Sequence, residues 1–223
     1  MAMNILIIGA SRGIGFEFVR QYREAGARVT ATARDEAGIA RLQQLGAEAF
    51  ALDVTDTASA SGLAWRIDGQ AFDVVVVNAG VLGPKLAAPQ TPSEADFDAV
   101  MHTNVLGAMR ILPQVMESLA PGAKLAVLSS RMGSIGLRVS GSSWLYRASK
   151  AALNSVLKDM SFTLAGRATC VAFHPGWVRT DMGGSSADIS VEQSVADMRR
   201  TLAALQPSEN GSFLNHDHQP LAW

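Results

Sequence analysis

The chain has 223 residues, 48% of them hydrophobic and 17% charged, so burial of apolar surface can offset the entropy of ordering and a disordered chain is excluded. That length suits one large α/β domain with a core that needs neither disulfide nor metal. A formal net charge of −1 supplies no polybasic field, so neither nucleic acid nor a membrane surface is expected as a partner.

Short apolar runs bounded by turn residues alternate with segments of helical spacing, the pattern of a βαβ chain with a parallel sheet. Strands are predicted at residues 4–8, 28–33, 48–52, 73–77, 124–129, 169–174 and 212–215. The run Val74-Val75-Val76-Val77 suits a strand covered on both faces, because a sheet with one wet face would alternate apolar and polar residues. Helices are predicted at 15–25, 35–45, 57–65, 94–119, 146–164 and 191–205. Ser93 can cap the fourth of these, with Glu94 and Asp96 complementing its dipole, and Pro113 predicts a kink inside it. The first apolar run, Ile5 to Ile8, is far too short to span a bilayer and follows no leader pattern, so a cytoplasmic location is expected. Cys170, the only cysteine, sits in Thr169-Cys170-Val171-Ala172-Phe173 and reads as a small buried residue, not a nucleophile.

The first strand runs directly into Gly9-Ala10-Ser11-Arg12-Gly13-Ile14-Gly15 and then a helix, which is where a pyrophosphate docks. Gly9 permits the tight turn, Gly13 and Gly15 let backbone approach the phosphates, and the first helical turn offers free N–H donors. Cofactor choice is made after the second strand, where a basic residue holds a 2′-phosphate and an acidic one holds a ribose hydroxyl. Arg34 follows Ala33 there, and Arg12 can close on the same phosphate, so NADP(H) is favoured over NAD(H). Asp35 can instead meet a ribose or cap the next helix. Asp53 and Val54, after the third strand, are expected at the adenine. Asn78-Ala79-Gly80, ending the fourth, brings backbone to the adenosine ribose; a cap and a plain turn are the structural alternatives.

Tyr146 and Lys150 stand four residues apart at a helix start, so both project from one face. A free phenol titrates near pH 10, and a nearby ammonium would lower that value and suit Tyr146 to acid/base work. His174 has an acid/base neighbour to hand and reads as structural. The four histidines show no metal-ligand spacing, and His216-Asp217-His218 reads as loop polarity, so no metal is expected.

Taken together, Gly9-x-x-x-Gly13-Ile14-Gly15, Asn78-Ala79-Gly80, Asn104, Ser129-Ser130-x-x-Gly133, Tyr146-x-x-x-Lys150 and Pro175-Gly176-x-x-x-Thr180 resemble the short-chain dehydrogenase/reductase family over essentially the whole chain. The runs Tyr146-Arg147-Ala148-Ser149-Lys150-Ala151-Ala152-Leu153 and His174-Pro175-Gly176-Trp177-Val178-x-Thr180, with the ending Gly211-Ser212-Phe213, are similar to its C-factor-like and sniffer-like carbonyl reductase branch. The resemblance implies a single-domain Rossmann fold over residues 1–223: a doubly wound, mainly parallel seven-stranded sheet flanked by helices. It implies that Tyr146 is the proton donor, Lys150 binds the nicotinamide ribose and depresses the phenol pKa, Ser130 bonds the substrate oxygen and Asn104 holds a relay water. It also implies that Pro175, Gly176, Val178 and Thr180 surround the nicotinamide. Ile8 and Val77 replace a threonine and an asparagine frequent in the family, and neither removes a catalytic group. The Ser130–Tyr146 segment leaves Ser134 as a second candidate for the substrate-oxygen contact.

Only residues 181–190 separate Thr180 from the next helix, so the lid is short. Met132, Leu137, Trp144, Trp177 and Met182 are expected to line an open pocket for a modest apolar ketone, aldehyde or quinone, or else to pack a core or subunit contact. The expected activity is reversible carbonyl reduction to an alcohol with a small-molecule substrate. A dinucleotide-sensing signalling protein and a non-redox epimerase or dehydratase are the rival classes. Apolar residues on more than one face of the helices at 94–119 and 146–164 point to a homodimer or homotetramer.

Overall fold

The computed structural model describes residues 2–86 and 90–223. Seven strands, β1 (Asn4–Ile8), β2 (Arg28–Ala33), β3 (Glu48–Ala51), β4 (Phe72–Val77), β5 (Leu119–Leu128), β6 (Ala168–His174) and β7 (Ser212–Asn215), form one sheet in the order β3-β2-β1-β4-β5-β6-β7. Every neighbouring pair is parallel. The helices are α1 (Gly13–Glu24), α2 (Glu36–Gln44), α3 (Thr57–Ser61), α4 (Leu63–Arg66), α5 (Glu94–Met101), α6 (Gly107–Val115), α7 (Trp144–Thr163) and α8 (Val191–Ala204).

The strand alternation divides the core in two. Ile5, Ile7, Val74 and Val76 join Phe18, Val19, Leu42 and Met198 on one face of the sheet. Leu6, Ile8, Val75 and Val77 join Leu63, Ile111, Leu153 and Leu157 on the other. Continuous β-branched strands are stable here because both faces meet helices, and each fully buried aliphatic side chain contributes roughly 1.5–3 kcal/mol. The chain winds outward from β1 to β3, returns through β4, and winds out on the other side. The crevice at the carboxyl ends of β1 and β4 is the switch point where such sheets bind ligands.

Several predicted boundaries move for local reasons. Gly62 divides the helix expected at 57–65 into α3 and α4. β5 starts at Leu119, five residues before the expected position, because Leu119 already pairs with Phe72 ahead of a register shift. The helix expected at 94–119 keeps its Ser93 cap, which accepts from Asp96 N at 3.1 Å. Its departure from α geometry is not at Pro113, which α6 accommodates, but in a π turn at His102–Leu106 that separates α5 from α6. Asp35 caps α2, its Oδ1 accepting from Gly38 N at 2.6 Å. α7 starts two residues early, placing Tyr146 in its first turn. Cys170 is buried in β6, and burial pushes its thiol up to about 12.

Candidate active site

A cleft of about 400 Å³ lies at the switch point. Arg34, Asp53 and Val54, from the ends of β2 and β3, lie on one side. Gly9, Ser11, Arg12, Gly13 and Ile14 lie under its middle, and Tyr146, Lys150, Pro175 and Thr180 lie on the other side.

The turn after β1 is held from two neighbouring strands. Thr32 in β2 accepts from Gly9 N at 3.0 Å through Oγ1, and Asn78 Nδ2 after β4 donates to Gly9 O at 2.6 Å. Gly9 has φ +84°, and a Cβ there would sit 2.8 Å from Ala79 N, so the turn excludes any other residue. Gly13 faces the cleft. Gly15 does not, contrary to expectation: a Cβ on it would press into Gly9 O and lie 2.7 Å from Asn78 Nδ2, so its role is to let α1 pack against the turn. Arg12 is the N-cap of α1 and makes no side-chain capping bond, leaving the first-turn amides without a side-chain acceptor, as a pyrophosphate site requires.

Arg34 and Asp53 come together at the other end. Burial raises the Asp53 pKa, but hydrogen bonds from the Thr55 hydroxyl and amide and the nearby Arg34 charge outweigh it and hold the carboxyl below its ordinary value. Arg12 and Arg34 line the same cleft, yet Arg12 Nη1 is engaged by Asp181 Oδ2 at 3.0 Å. Arg41 Nη2 donates to Ser11 O at 3.1 Å and so braces the glycine-rich turn from α2.

Tyr146 and Lys150 are both buried. Lys150 Nζ donates to Leu128 O at 2.8 Å and sits 5.7 Å from the Tyr146 ring centroid, leaving donors free for a ribose. Burial alone pulls the Lys150 pKa down to about 8. The phenol is not depressed, as the sequence had suggested, but pushed up to about 12 by burial, with the Ser130 hydroxyl opposing the rise. Burial is the largest cause of the rise, and the Lys150 ammonium is not among the groups that oppose it. Ser130 also accepts from Met132 N at 3.1 Å, capping a short 3-10 turn (Arg131–Gly133).

Asn104 lies in the π turn with its amide already engaged. Oδ1 accepts from Val81 N at 2.8 Å, and Nδ2 donates to Val81 O and Ser149 Oγ, both at 2.9 Å. Both Nδ2 protons are spent, so the side chain joins the loop after β4 to α7 and does not present them to a relay water. Ser134, the second candidate for the substrate contact, is also committed: its Oγ donates to Ala222 O at 2.7 Å and accepts from Leu137 N.

Gly80, Ala79 and Asn78 line the cleft, whereas Gly176 and Val178 do not. Gly176 is a turn glycine at φ +87°, and Val178 is buried in a bridge to Ile189. Of the residues expected to line a substrate pocket, Met182 borders the cleft and Met132, Leu137, Trp144 and Trp177 do not. The indole N–H groups hold the two tryptophans elsewhere, Trp144 on Gln90 O at 3.0 Å and Trp177 on Gly183 O at 2.8 Å. Thr103, Arg179 and Asp181 line the cleft without having been anticipated; Asp181 follows Thr180 directly, the one signal that could have found it. The His174 Nδ1 is buried without a hydrogen-bond partner, and burial, then the charges of His216 and Arg131, hold its pKa down to about 4, which makes it a neutral structural group.

The family model for short chain dehydrogenases matches residues 3–189. The C-signal protein of Myxococcus xanthus is 36% identical over 154 residues, spanning 68% of this chain and 92% of that protein. The carbonyl reductase Sniffer of D. melanogaster superposes with a TM-score of 0.87 at 30% identity, each chain covered in full at 100%. A carbonyl reductase from Pseudomonas aeruginosa PAO1 in complex with NADP superposes with a TM-score of 0.86 at 32% identity, again covering 100% of both chains. With the family model matching most of its length and full-length superposition on these solved structures, the chain belongs to the short-chain dehydrogenase family.

Proposed function

We propose that residues 1–223 form one NADP(H)-binding domain that catalyses reversible reduction of a small ketone, aldehyde or quinone. The observation that carries this reading is that Tyr146 and Lys150 line the end of a cleft whose other wall carries Arg34, with the Ser130 hydroxyl beside the phenol. The NADP complex of the Pseudomonas carbonyl reductase supports the cofactor, and the names of that protein and Sniffer support the substrate class.

A nicotinamide held here would supply or accept the hydride. The chain does the rest. Tyr146 delivers a proton to the carbonyl oxygen, and its high pKa keeps the phenol protonated, as reduction requires. Ser130, adjacent to the phenol, donates to the oxygen as negative charge develops there. Lys150, anchored on Leu128 O, directs its remaining donors to the ribose and places positive charge beside a tyrosinate in the oxidative direction. Asn104 positions the Gly80–Val81 backbone against α7. Arg34, and Arg12 on exchange of Asp181, would hold the 2′-phosphate and so favour NADP(H) over NAD(H).

Among the described residues, no helix is long and apolar enough to cross a membrane. A cytoplasmic homodimer or homotetramer fits the exposed Phe97, Met109 and Phe162 on α5, α6 and α7. The test is a paired titration with NADPH and NADH followed by a carbonyl screen. Binding of neither cofactor overturns the reading.

The similarity to C-signal favours one further reading, a dinucleotide-responsive signalling protein. In that case Tyr146→Phe retains the biological action, and a variant unable to bind cofactor loses it.

A further inference from the structure

The segment between Ser130 and Tyr146 is held at several places, among them Leu86 O, which accepts from Ser143 N at 2.9 Å, and two groups far from each other in sequence. Its second half is fixed by Arg147, whose Nε donates to Ser142 O at 2.8 Å and whose Nη2 donates to Ser140 Oγ at 3.1 Å. Its first half is fixed by residues 222 and 223. Ser134 Oγ donates to Ala222 O at 2.7 Å, and the amides of Ile135 and Gly136 both donate to Trp223 O, at 3.2 and 3.0 Å. The tail in turn is built onto the sheet edge. Leu221 N donates to Phe213 O at 2.8 Å, Pro220 bridges to Leu214, and the Trp223 ring stacks on Phe213 at 5.5 Å.

These contacts reach the catalytic groups through a very short path. Ser134 ends the 3-10 turn that Ser130 begins. Between them Gly133 lies against the backbone of α7 so closely that a Cβ on it would be 2.8 Å from Lys150 C. A turn pinned at one end by β5 and at the other by Ser134 has little freedom to rotate the Ser130 hydroxyl away from the phenol. Released at Ser134, the same turn keeps its own short hydrogen bonds and the packing of Gly133 on α7 but loses the side-chain tie to residue 222 that fixes its far end.

We propose that residues 221–223 act as a strap that holds Ser134, and that Ser134 is thereby a positioning residue for Ser130. This rests on the reductase reading above for the role of Ser130. Neither Ser134 nor Trp223 lines the cofactor cleft. The strap therefore acts on the reacting oxygen and leaves dinucleotide binding alone.

The experiment compares wild type, Ser134→Ala, Trp223→Ala and Trp223→Phe in NADPH affinity, carbonyl turnover against pH, and hydrogen exchange of residues 131–137. The expected result for Ser134→Ala and Trp223→Ala is faster exchange in that peptide and kcat lowered about tenfold, since small misplacements of a catalytic group cost that much or more. Their NADPH Kd stays within about twofold of wild type, because no cofactor contact is removed. The alkaline limb set by Tyr146 moves to higher pH, as the Ser130 hydroxyl no longer opposes the effect of burial. Trp223→Phe, which keeps the stack on Phe213, behaves as wild type. Unchanged kcat and pH profile in both alanine variants would overturn the proposal, and so would an equal loss of NADPH binding, which marks general loosening. If the wild type reduces no carbonyl, the reductase reading fails, while unchanged exchange in the alanine variants separately rejects the strap.

Discussion

Arg12 Nη1 lies 3.0 Å from Asp181 Oδ2, joining the glycine-rich turn to the short segment after Thr180 across the mouth of the cleft. Both side chains are largely exposed, 73% and 78%, so the pair is screened and easily exchanged for a stronger dianionic partner. Asp181 thus competes with the 2′-phosphate for Arg12. Replacing Asp181 with Asn is expected to tighten NADPH binding about two- to fivefold at low salt, with NADH unaffected, as read by cofactor fluorescence titration. Equal effects on the two cofactors would place Arg12 away from the 2′-phosphate.

Arg34 stands near Asp53 and lines the cleft, where it can meet a phosphate. Arg34→Asp removes a charge-assisted donor and adds repulsion. NADPH affinity is expected to fall at least about tenfold, with NADH affinity held or improved. Competition binding on the purified variant reads the ratio directly.

The phenol of Tyr146 is the only acid poised beside Ser130 and Lys150 among the described residues. Tyr146→Phe keeps the ring and removes the proton. Turnover is expected to fall about 10²–10⁴-fold while NADPH binding changes less than about twofold. Steady-state kinetics beside a binding isotherm separates the two effects.

His174 is held neutral by burial at a pKa of about 4, against an ordinary value of 6.5. The unfolded chain therefore binds more protons than the folded one between these values. Stability from this group is complete above pH 6.5 and is lost as pH falls through 4, with a ceiling of about 3 kcal/mol. Urea midpoints measured from pH 7 to 4 should decline, and His174→Gln should flatten that decline.

Gly15 packs against the oxygen of Gly9 and the amide of Asn78. Gly15→Ala is expected to destabilise the fold by roughly 1–3 kcal/mol, the usual cost of overpacking, and to weaken NADPH binding by distorting the turn indirectly. A thermal melt with and without NADPH distinguishes this from loss of a direct phosphate contact, which would leave the apo melt unchanged.

What the sequence determined by itself is whatever local geometry encodes. The Val74–Val77 run specified a strand buried on both faces, the glycines at 9 and 13 specified a strand-to-helix turn, and the four-residue spacing of Tyr146 and Lys150 specified a shared helix face. Each depends on neighbours within a turn or two of chain. The tertiary structure decided where distant groups close on one another. Arg12 meets Asp181 across 169 residues of sequence, Ser134 gives its hydroxyl to Ala222 and not to a substrate, Asn104 spends its amide on Val81 and Ser149, and Lys150 rests on a backbone carbonyl that no motif marks. The phenol pKa shows the same division. The residue types suggest an ammonium lowering it, but its direction follows from burial, which exists only once β5, the 3-10 turn and α7 have packed together and removed the water from both groups.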